Sequence, residues 1–165
     1  MPVFTLATAA DLPAIVAIYN AAIPGRLATA DLEPVTVAAK TAWFAQFSPD
    51  HRPIWLIQVD GALAGWVSLE NFYGRPAYDH TAEISIYLDP AFQHRHLGQA
   101  ALDFVFTQLK RLDLDTIVAF VFHHNRASQG LFARNGFATW GHLPQVALMD
   151  TTRRDLDILG RHFDA

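Results

Sequence analysis

Apolar and polar side chains alternate along Thr81–Leu88. Ala82, Ile84, Ile86 and Leu88 fall on one face, and Glu83, Ser85 and Tyr87 on the other. A period of two is the pattern of a strand with one buried face. Asp89-Pro90 then turns the chain, and a basic loop over residues 93–100 leads into a helix predicted from Gly98 to Leu112. Ala101, Val105, Leu109 and Leu112 trace its apolar stripe, widened by Leu102 and Phe106. Thr116–Phe122 is uniformly apolar and β-branched or aromatic, as expected of a strand covered on both faces.

The same reading applies before and after this centre. Residues 2–7 predict a short strand. Thr8 is placed to cap a helix running to Ala22, with Leu12, Ile15, Val16 and Tyr19 at helical spacing and Pro13 tolerated near its start. Pro24-Gly25 ends it, and residues 26–33 form a polar linker. A second helix is expected over residues 34–47, with Pro34 in its first turn. Residues 54–60 and 62–72 are apolar runs joined at Asp60-Gly61, a strong hairpin signal. Gly65 within the second run marks a bulge or a close approach. After Thr116–Phe122, Asn125 is placed to cap a further helix that ends at Gly136, and Phe137 opens a strand running towards Met149. Residues 153–163 are expected to form a short terminal helix packing Leu156, Ile158 and Leu159.

Composition narrows the class. The chain has 165 residues, 52% of them hydrophobic and 17% charged, which fits one globular domain spanning residues 1–165. A net charge of −4 argues against a general nucleic-acid binder. No stretch reads as a membrane span or a signal peptide. The sequence contains no cysteine, so disulfides, thiolate metal sites and a cysteine nucleophile are excluded, and a cytoplasmic setting is expected. His94/His96 and His123/His124 are pairs without the spacing of a ligand set, and no metal is expected. The chain has no Gly-Lys-[Ser/Thr] loop, and no glycine motif follows its first strand, against nucleoside-triphosphate and dinucleotide folds.

The chemistry lies around the alternating strand. Glu83 sits on its polar face. Arg95 and Gly98 follow at the mouth of a helix, where free N–H groups and the helix dipole favour an anion. Such a strand and loop suggest an enzyme that uses a phosphorylated cofactor. Arg95, Gly98 and Ala100 match [Gln/Arg]-x-x-Gly-x-[Gly/Ala], and the segment resembles motif A of the GCN5-related N-acetyltransferase (GNAT) superfamily. Arg75, Ala77, Tyr78, Thr81, Glu83, Ser85 and Tyr87 together resemble its phosphinothricin and methionine sulfone or sulfoximine acetyltransferase branch. Asn125, Ser128, Leu131, Gly136 and Phe137 are similar to motif B.

The resemblance implies a mixed α/β domain with a largely antiparallel, twisted sheet flanked by helices and a splayed central strand pair forming the CoA cleft. It implies acetyl-CoA as co-substrate, a small-molecule amine as acceptor, direct attack and a homodimer. Cofactor contacts are then expected from the backbone around Ile86, Tyr87 and Leu88, from Arg95, His96, Leu97, Gly98, Gln99 and Ala100, and from Asn125 and Ser128. Asn125 is equally explained by capping alone. Glu83 matches the base of that branch, although a glutamate of pKa about 4.3 needs burial or a water relay for that role. Arg75 and Tyr78 are candidates for the acceptor side. Arg75 reads equally as a structural partner of Glu83, and Arg26 as a solvated loop arginine rather than an anion ligand. An enzyme acetylating protein N-termini and a non-catalytic acyl-CoA-binding protein stay open as alternatives.

Three features depart from the pattern. Phe132 stands where many members carry a tyrosine or histidine able to protonate the leaving thiolate, so either Tyr78 or Tyr87 replaces it or the thiolate leaves unassisted. His96 stands where related loops carry glycine. The C-terminal segment lacks the Lys-x-Gly-x-Trp-x-Asp-like stretch of the branch.

Overall fold

A computed structural model describes residues 1–164. Seven strands form one sheet in the order β1-β2-β3-β4-β5-β7-β6. They are β1 (Val3–Leu6), β2 (Ile54–Val59), β3 (Ala62–Asn71), β4 (Thr81–Leu88), β5 (Thr116–Phe122), β6 (Ala138–Met149) and β7 (Thr152–His162). All neighbours pair antiparallel except β4 and β5. Helices α1 (Leu12–Ala22) and α2 (Val37–Phe44) cover one face, and α3 (Leu97–Gln108) and α4 (Arg126–Arg134) the other. No described helix is long and apolar enough to cross a membrane.

The alternation of β4 divides the two cores as its pattern predicts. Ala82 and Ile84 are buried with Ala101, Leu102 and Val105 of α3, and Ile86 and Leu88 pack against the same cluster. Tyr87 faces Trp66, Ile15 and Ile18 on the α1–α2 side. The hairpin between β2 and β3 forms at Asp60-Gly61, both with positive φ, as a tight turn requires.

Three expectations are corrected. The 153–163 segment is no helix: β7 lies between β5 and β6. β5 needs a second partner because β4 leaves it early, and β7 supplies that partner from Thr116 to Phe122. Helix α2 starts later than residue 34 and ends at Phe44. Thr36 caps it by accepting from the Ala39 N–H at 3.1 Å, while the Asn20 amide grips both backbone groups of Val35 at 2.9 Å and keeps that approach out of the helix. Helix α1 is preceded by a separate one-turn 3-10 segment, whose Asp11 carboxylate accepts from the Thr8 N–H at 2.7 Å.

Candidate active site

β4 and β5 pair only between Thr81–Glu83 and Thr116–Val118. Beyond that point the two strands separate, and Glu83 stands at the vertex. The β3–β4 register is unbroken, so the opening is made on the β5 side. The β6–β7 pairing shifts register at Thr139/Gly141 and Leu143/Ala147, and next to β3–β4 in the sheet the β2–β3 pairing is irregular at Ile57/Gln58. Gly65 lies next to it: a Cβ there would meet the Tyr87 carbonyl oxygen at 2.4 Å and Leu88 Cα at 3.1 Å. The close approach expected of Gly65 is therefore to β4.

The separation leaves donors free. The Asp89 N–H donates to the Ala64 carbonyl at 2.8 Å, so this pair faces across β3–β4. Antiparallel alternation then turns Tyr87 and Ser85 towards β3, and the N–H groups of Ile86 and Leu88 towards the opening. Of the three backbone positions singled out in the sequence, Ile86 and Leu88 present donors there, whereas Tyr87 presents its ring on the other sheet face.

At the end of β4 the chain enters α3 through a loop with two left-handed residues, His94 (φ 63°) and His96 (φ 56°). His96 takes the conformation that glycine adopts freely, which explains why a histidine here departs from the pattern without destroying the turn. Ala100 N–H is the first to bond back into the helix, to the His96 carbonyl at 3.1 Å. Among the described residues the N–H groups of Leu97, Gly98 and Gln99 thus have no backbone partner, at the positive end of α3. A Cβ on Gly98 would meet Leu131 of α4 at 3.0 Å, so this glycine serves helix packing as well. The Gln99 side chain is tied to Asn135 by reciprocal 2.9 Å amide bonds, leaving its backbone to face a ligand. Arg95 is exposed, its guanidinium 5.1 Å from the Phe92 ring centroid.

Asn125 caps α4, its Oδ1 accepting from the Ser128 N–H at 3.2 Å, and its amide donates to the Leu27 carbonyl at 3.1 Å. The capping reading holds, and Asn125 also ties α4 to the 26–33 loop. That loop is fastened across the end of the opening. His124 bonds the Arg26 carbonyl at 2.8 Å, Tyr87 hydroxyl donates to the Ala28 carbonyl at 3.2 Å, and Arg26 pairs with Asp150 at 3.0 Å. Arg26 is thereby a strut of this loop.

A cavity of about 320 Å³ lies between α1, α2 and the β3–β4 face. Tyr19, Trp43, Trp66 and Tyr87 form aromatic walls, and Lys40, Glu70 and Ser85 add polar groups. Tyr87 stacks on Trp66 at 4.7 Å. Burial, with the nearby Tyr19, raises the Tyr87 phenol, and burial with the Asp31 hydrogen bond pushes Tyr19 up to about 12. Glu83 shares this face with Ser85 and Tyr87, and Glu70 of β3 sits directly opposite it. Burial foremost, then the Glu70 charge, pushes the Glu83 carboxyl up to about 7. The condition for a glutamate base is therefore met at the vertex.

Other sequence candidates fall elsewhere. Arg75 and Tyr78 lie on the exposed loop before β4, outside the cavity wall, and no Arg75–Glu83 ion pair forms among the described residues. Tyr78 joins Phe72 and Tyr73 in an aromatic cluster. Phe132 is 6% exposed and packs edge-on against Phe137, as a core residue. Glu70 and Lys40 were missed because the register of β3 on β4 and the docking of α2 are tertiary facts. His123, considered in the sequence only with His124, instead meets His142 and Asp157, both missed, with ligand-type atoms within 4.8 Å of one another on the α3–α4 side. Buried Asp157 accepts there from both imidazoles, at 2.8 and 2.5 Å, and from Gln129 at 3.0 Å.

Residues 14–137 match the acetyltransferase (GNAT) family. The chain belongs to that family. It is an acyltransferase. A Bacillus subtilis protein provisionally named phosphinothricin acetyltransferase YwnH is 45% identical over 157 residues, covering 94% of this chain and 96% of that one. The L-methionine sulfoximine/L-methionine sulfone acetyltransferase of Pseudomonas aeruginosa is 33% identical over 139 residues, covering 83% and 80%. An acetyltransferase from Salmonella typhimurium, solved with acetyl-CoA, superimposes with a TM-score of 0.90 at 25% identity, covering 100% of this chain and 95% of that one. The GNAT fold, seven strands with one parallel pair, is thus the architecture inferred from motifs A and B.

Proposed function

We propose that this GNAT enzyme acetylates the primary amine of a small amino acid of the phosphinothricin or methionine sulfoximine type. The observation that supports this reading most is Glu83: a half-buried carboxyl raised to about 7, at the point where β4 and β5 part. Near neutral pH it is ionised enough to accept a proton and basic enough to hold it. The α3 N-terminus with Leu97, Gly98, Gln99 and Arg95 receives the cofactor's pyrophosphate, and Ser128 and Asn125 flank the same groove. The free N–H groups of Ile86 and Leu88 stabilise charge developing on the thioester oxygen. The amine attacks directly, the thiolate departs, and no covalent enzyme intermediate forms.

The acceptor occupies the aromatic cavity, and its size suits an amino acid rather than a folded chain. Arg75 and Tyr78 stand at the Glu83 end of β4, where an acceptor's acidic group would enter. The edge strand β6 exposes Trp140, Leu143, Val146 and Leu148, which supports a homodimer that covers this edge. The test is thiol release from acetyl-CoA with phosphinothricin, methionine sulfoximine, methionine sulfone, common amino acids, polyamines and short peptides, beside Glu83→Gln. A chain without cysteine adds no thiol background. Release with the amino-acid analogues, lost in the variant, is the expected result. Equal rates in both proteins would remove Glu83 as base, and turnover of peptides alone would remove the small-molecule acceptor.

A further inference from the structure

Glu70 and Glu83 face each other directly across β3 and β4, on the side of the sheet that holds the cavity. Like charges at directly opposed positions destabilise a sheet. Among the described residues neither carboxylate has a lysine or arginine partner in an ion pair. Lys40 lines the cavity, but its ammonium sits 5.3 Å from the ring centroids of Tyr19 and Trp43. Trp43 fixes Glu70 instead, its Nε1–H donating to Oε1 at 2.8 Å. Two pairs further along, on the same face, Ser68 opposes Ser85, and the buried Ser68 hydroxyl has no hydrogen-bond partner among the described residues. Glu70 and Ser85 line the cavity, with Glu83 and the buried Ser68 hydroxyl beside them on the same sheet face, a set suited to a cation carrying several N–H donors.

We propose that Glu70 is the second half of the acceptor site, holding the acceptor's ammonium between its own carboxylate and that of Glu83. This rests on the reading of Glu83 as base. The ammonium turns one repulsion into two attractions, and its third N–H is directed to the Ser85 hydroxyl that lines the cavity. Glu83 takes one proton, giving a neutral carboxyl and a free amine. The amine lone pair forms the C–N bond at the thioester carbonyl, and the C–S bond breaks with its electrons on sulfur. The second nitrogen proton passes to the departing thiolate, and Glu83 returns the first to water. Other groups around the pair are Tyr19 with Asp31 from the α1 side, Tyr87 from β4, Lys40 from α2 and Arg52 beyond Glu70. From β5 only Val118 opposes Glu83.

Two measurements test this. With L-methionine sulfone as acceptor, Glu70→Gln is expected to raise the acceptor KM about 10- to 100-fold, the size of a lost charged hydrogen bond. It should leave the acetyl-CoA Kd within about twofold, and lower the acid limb of kcat/KM by roughly half to one pH unit. A Glu70 that only perturbs Glu83 through its charge would move that limb but leave the acceptor KM unchanged. The second measurement needs no turnover: carbon-13 NMR of wild-type protein labelled at glutamate Cδ, titrated with methylammonium chloride at pH 8. The Glu70 and Glu83 signals should move together, at the same midpoint. An unchanged acceptor KM in Glu70→Gln would overturn the proposal, as would methylammonium moving Glu83 alone. If L-methionine sulfone is not turned over by wild type, the acceptor assignment fails, while the methylammonium titration still decides Glu70.

Discussion

Replacing Glu83 by Gln should stabilise the protein at alkaline pH while removing its activity. A carboxyl raised from 4.5 to about 7 holds its proton more tightly in the folded chain than in the unfolded one. For a raised acid, the folded state binds more protons across this window, so stability is lost as pH climbs from about 4.5 to about 7. The full shift corresponds to at most roughly 3 kcal/mol. Solvent screening of a half-buried group reduces the expected cost to about 1–2 kcal/mol at pH 8. Gln carries no charge at any pH and fits the same space, so it escapes this cost and also ends the repulsion with Glu70. Urea unfolding of both proteins at pH 5 and pH 8 reads the difference. At pH 8 the variant should be more stable by about 1–2 kcal/mol, or about 2–8 °C in Tm for a chain of this size. At pH 5 the gap should shrink to a few tenths of that, because wild-type Glu83 is then protonated. A variant that is less stable at pH 8, or a gap that is the same at both pH values, would refute the account of Glu83 as a strained, desolvated carboxyl.

Other consequences of the geometry are equally direct. Gly65→Ala places a methyl group against the Tyr87 carbonyl and Leu88. It should cost about 1–3 kcal/mol and depress kcat by displacing the Ile86–Leu88 donors, and denaturation alongside steady-state rates checks both. His96→Gly removes a left-handed non-glycine residue and should leave Tm unchanged or higher, with acetyl-CoA affinity within about threefold by calorimetry, since only its backbone serves the loop. Arg95→Ala should weaken acetyl-CoA by about tenfold or more at low salt, and by less at high salt, as a screened phosphate contact does. Phe132→Tyr should lower stability by roughly 1–3 kcal/mol without raising kcat, because the added hydroxyl enters a packed core.

Much of this molecule is legible in residue order. The alternation of β4, the Asp60-Gly61 hairpin, the Asn125 cap and the left-handed Gly136 are local signals, and local physics decides them. Leu156, Ile158 and Leu159 misled because this short apolar set satisfies both a helical and a strand period, and only the vacant edge of β5 selects the strand. Pro34 drew helix α2 too early because the Asn20 grip on Val35 comes from another helix. Glu70 was invisible for a related reason. It ends an apolar run that reads as a buried strand, and its significance lies in one cross-strand register pairing it with Glu83. The splay was inferred by resemblance, since the sequence of β4 alone does not state where its bonds to β5 stop.

The loss of a phenol at Phe132 and the raised Glu83 bear on the same reaction from opposite ends. Tyr87 is a poor substitute acid: its hydroxyl already donates to the Ala28 carbonyl, and burial holds its proton more firmly than in a free phenol. A thiol of pKa about 8.5 is a good enough leaving group to depart as the thiolate and take its proton from the attacking nitrogen or from water. The demanding proton transfer is then the one at the amine, which in water stays protonated at neutral pH. On the proposed reading, the strain of two facing carboxylates at the vertex of the sheet serves that transfer, and Phe132 offers no matching acid on the sulfur side. It follows that the rate should climb along a single limb set by Glu83 and level off. A descending limb in the range where a tyrosine loses its proton would instead assign the missing acid to Tyr87 or Tyr78.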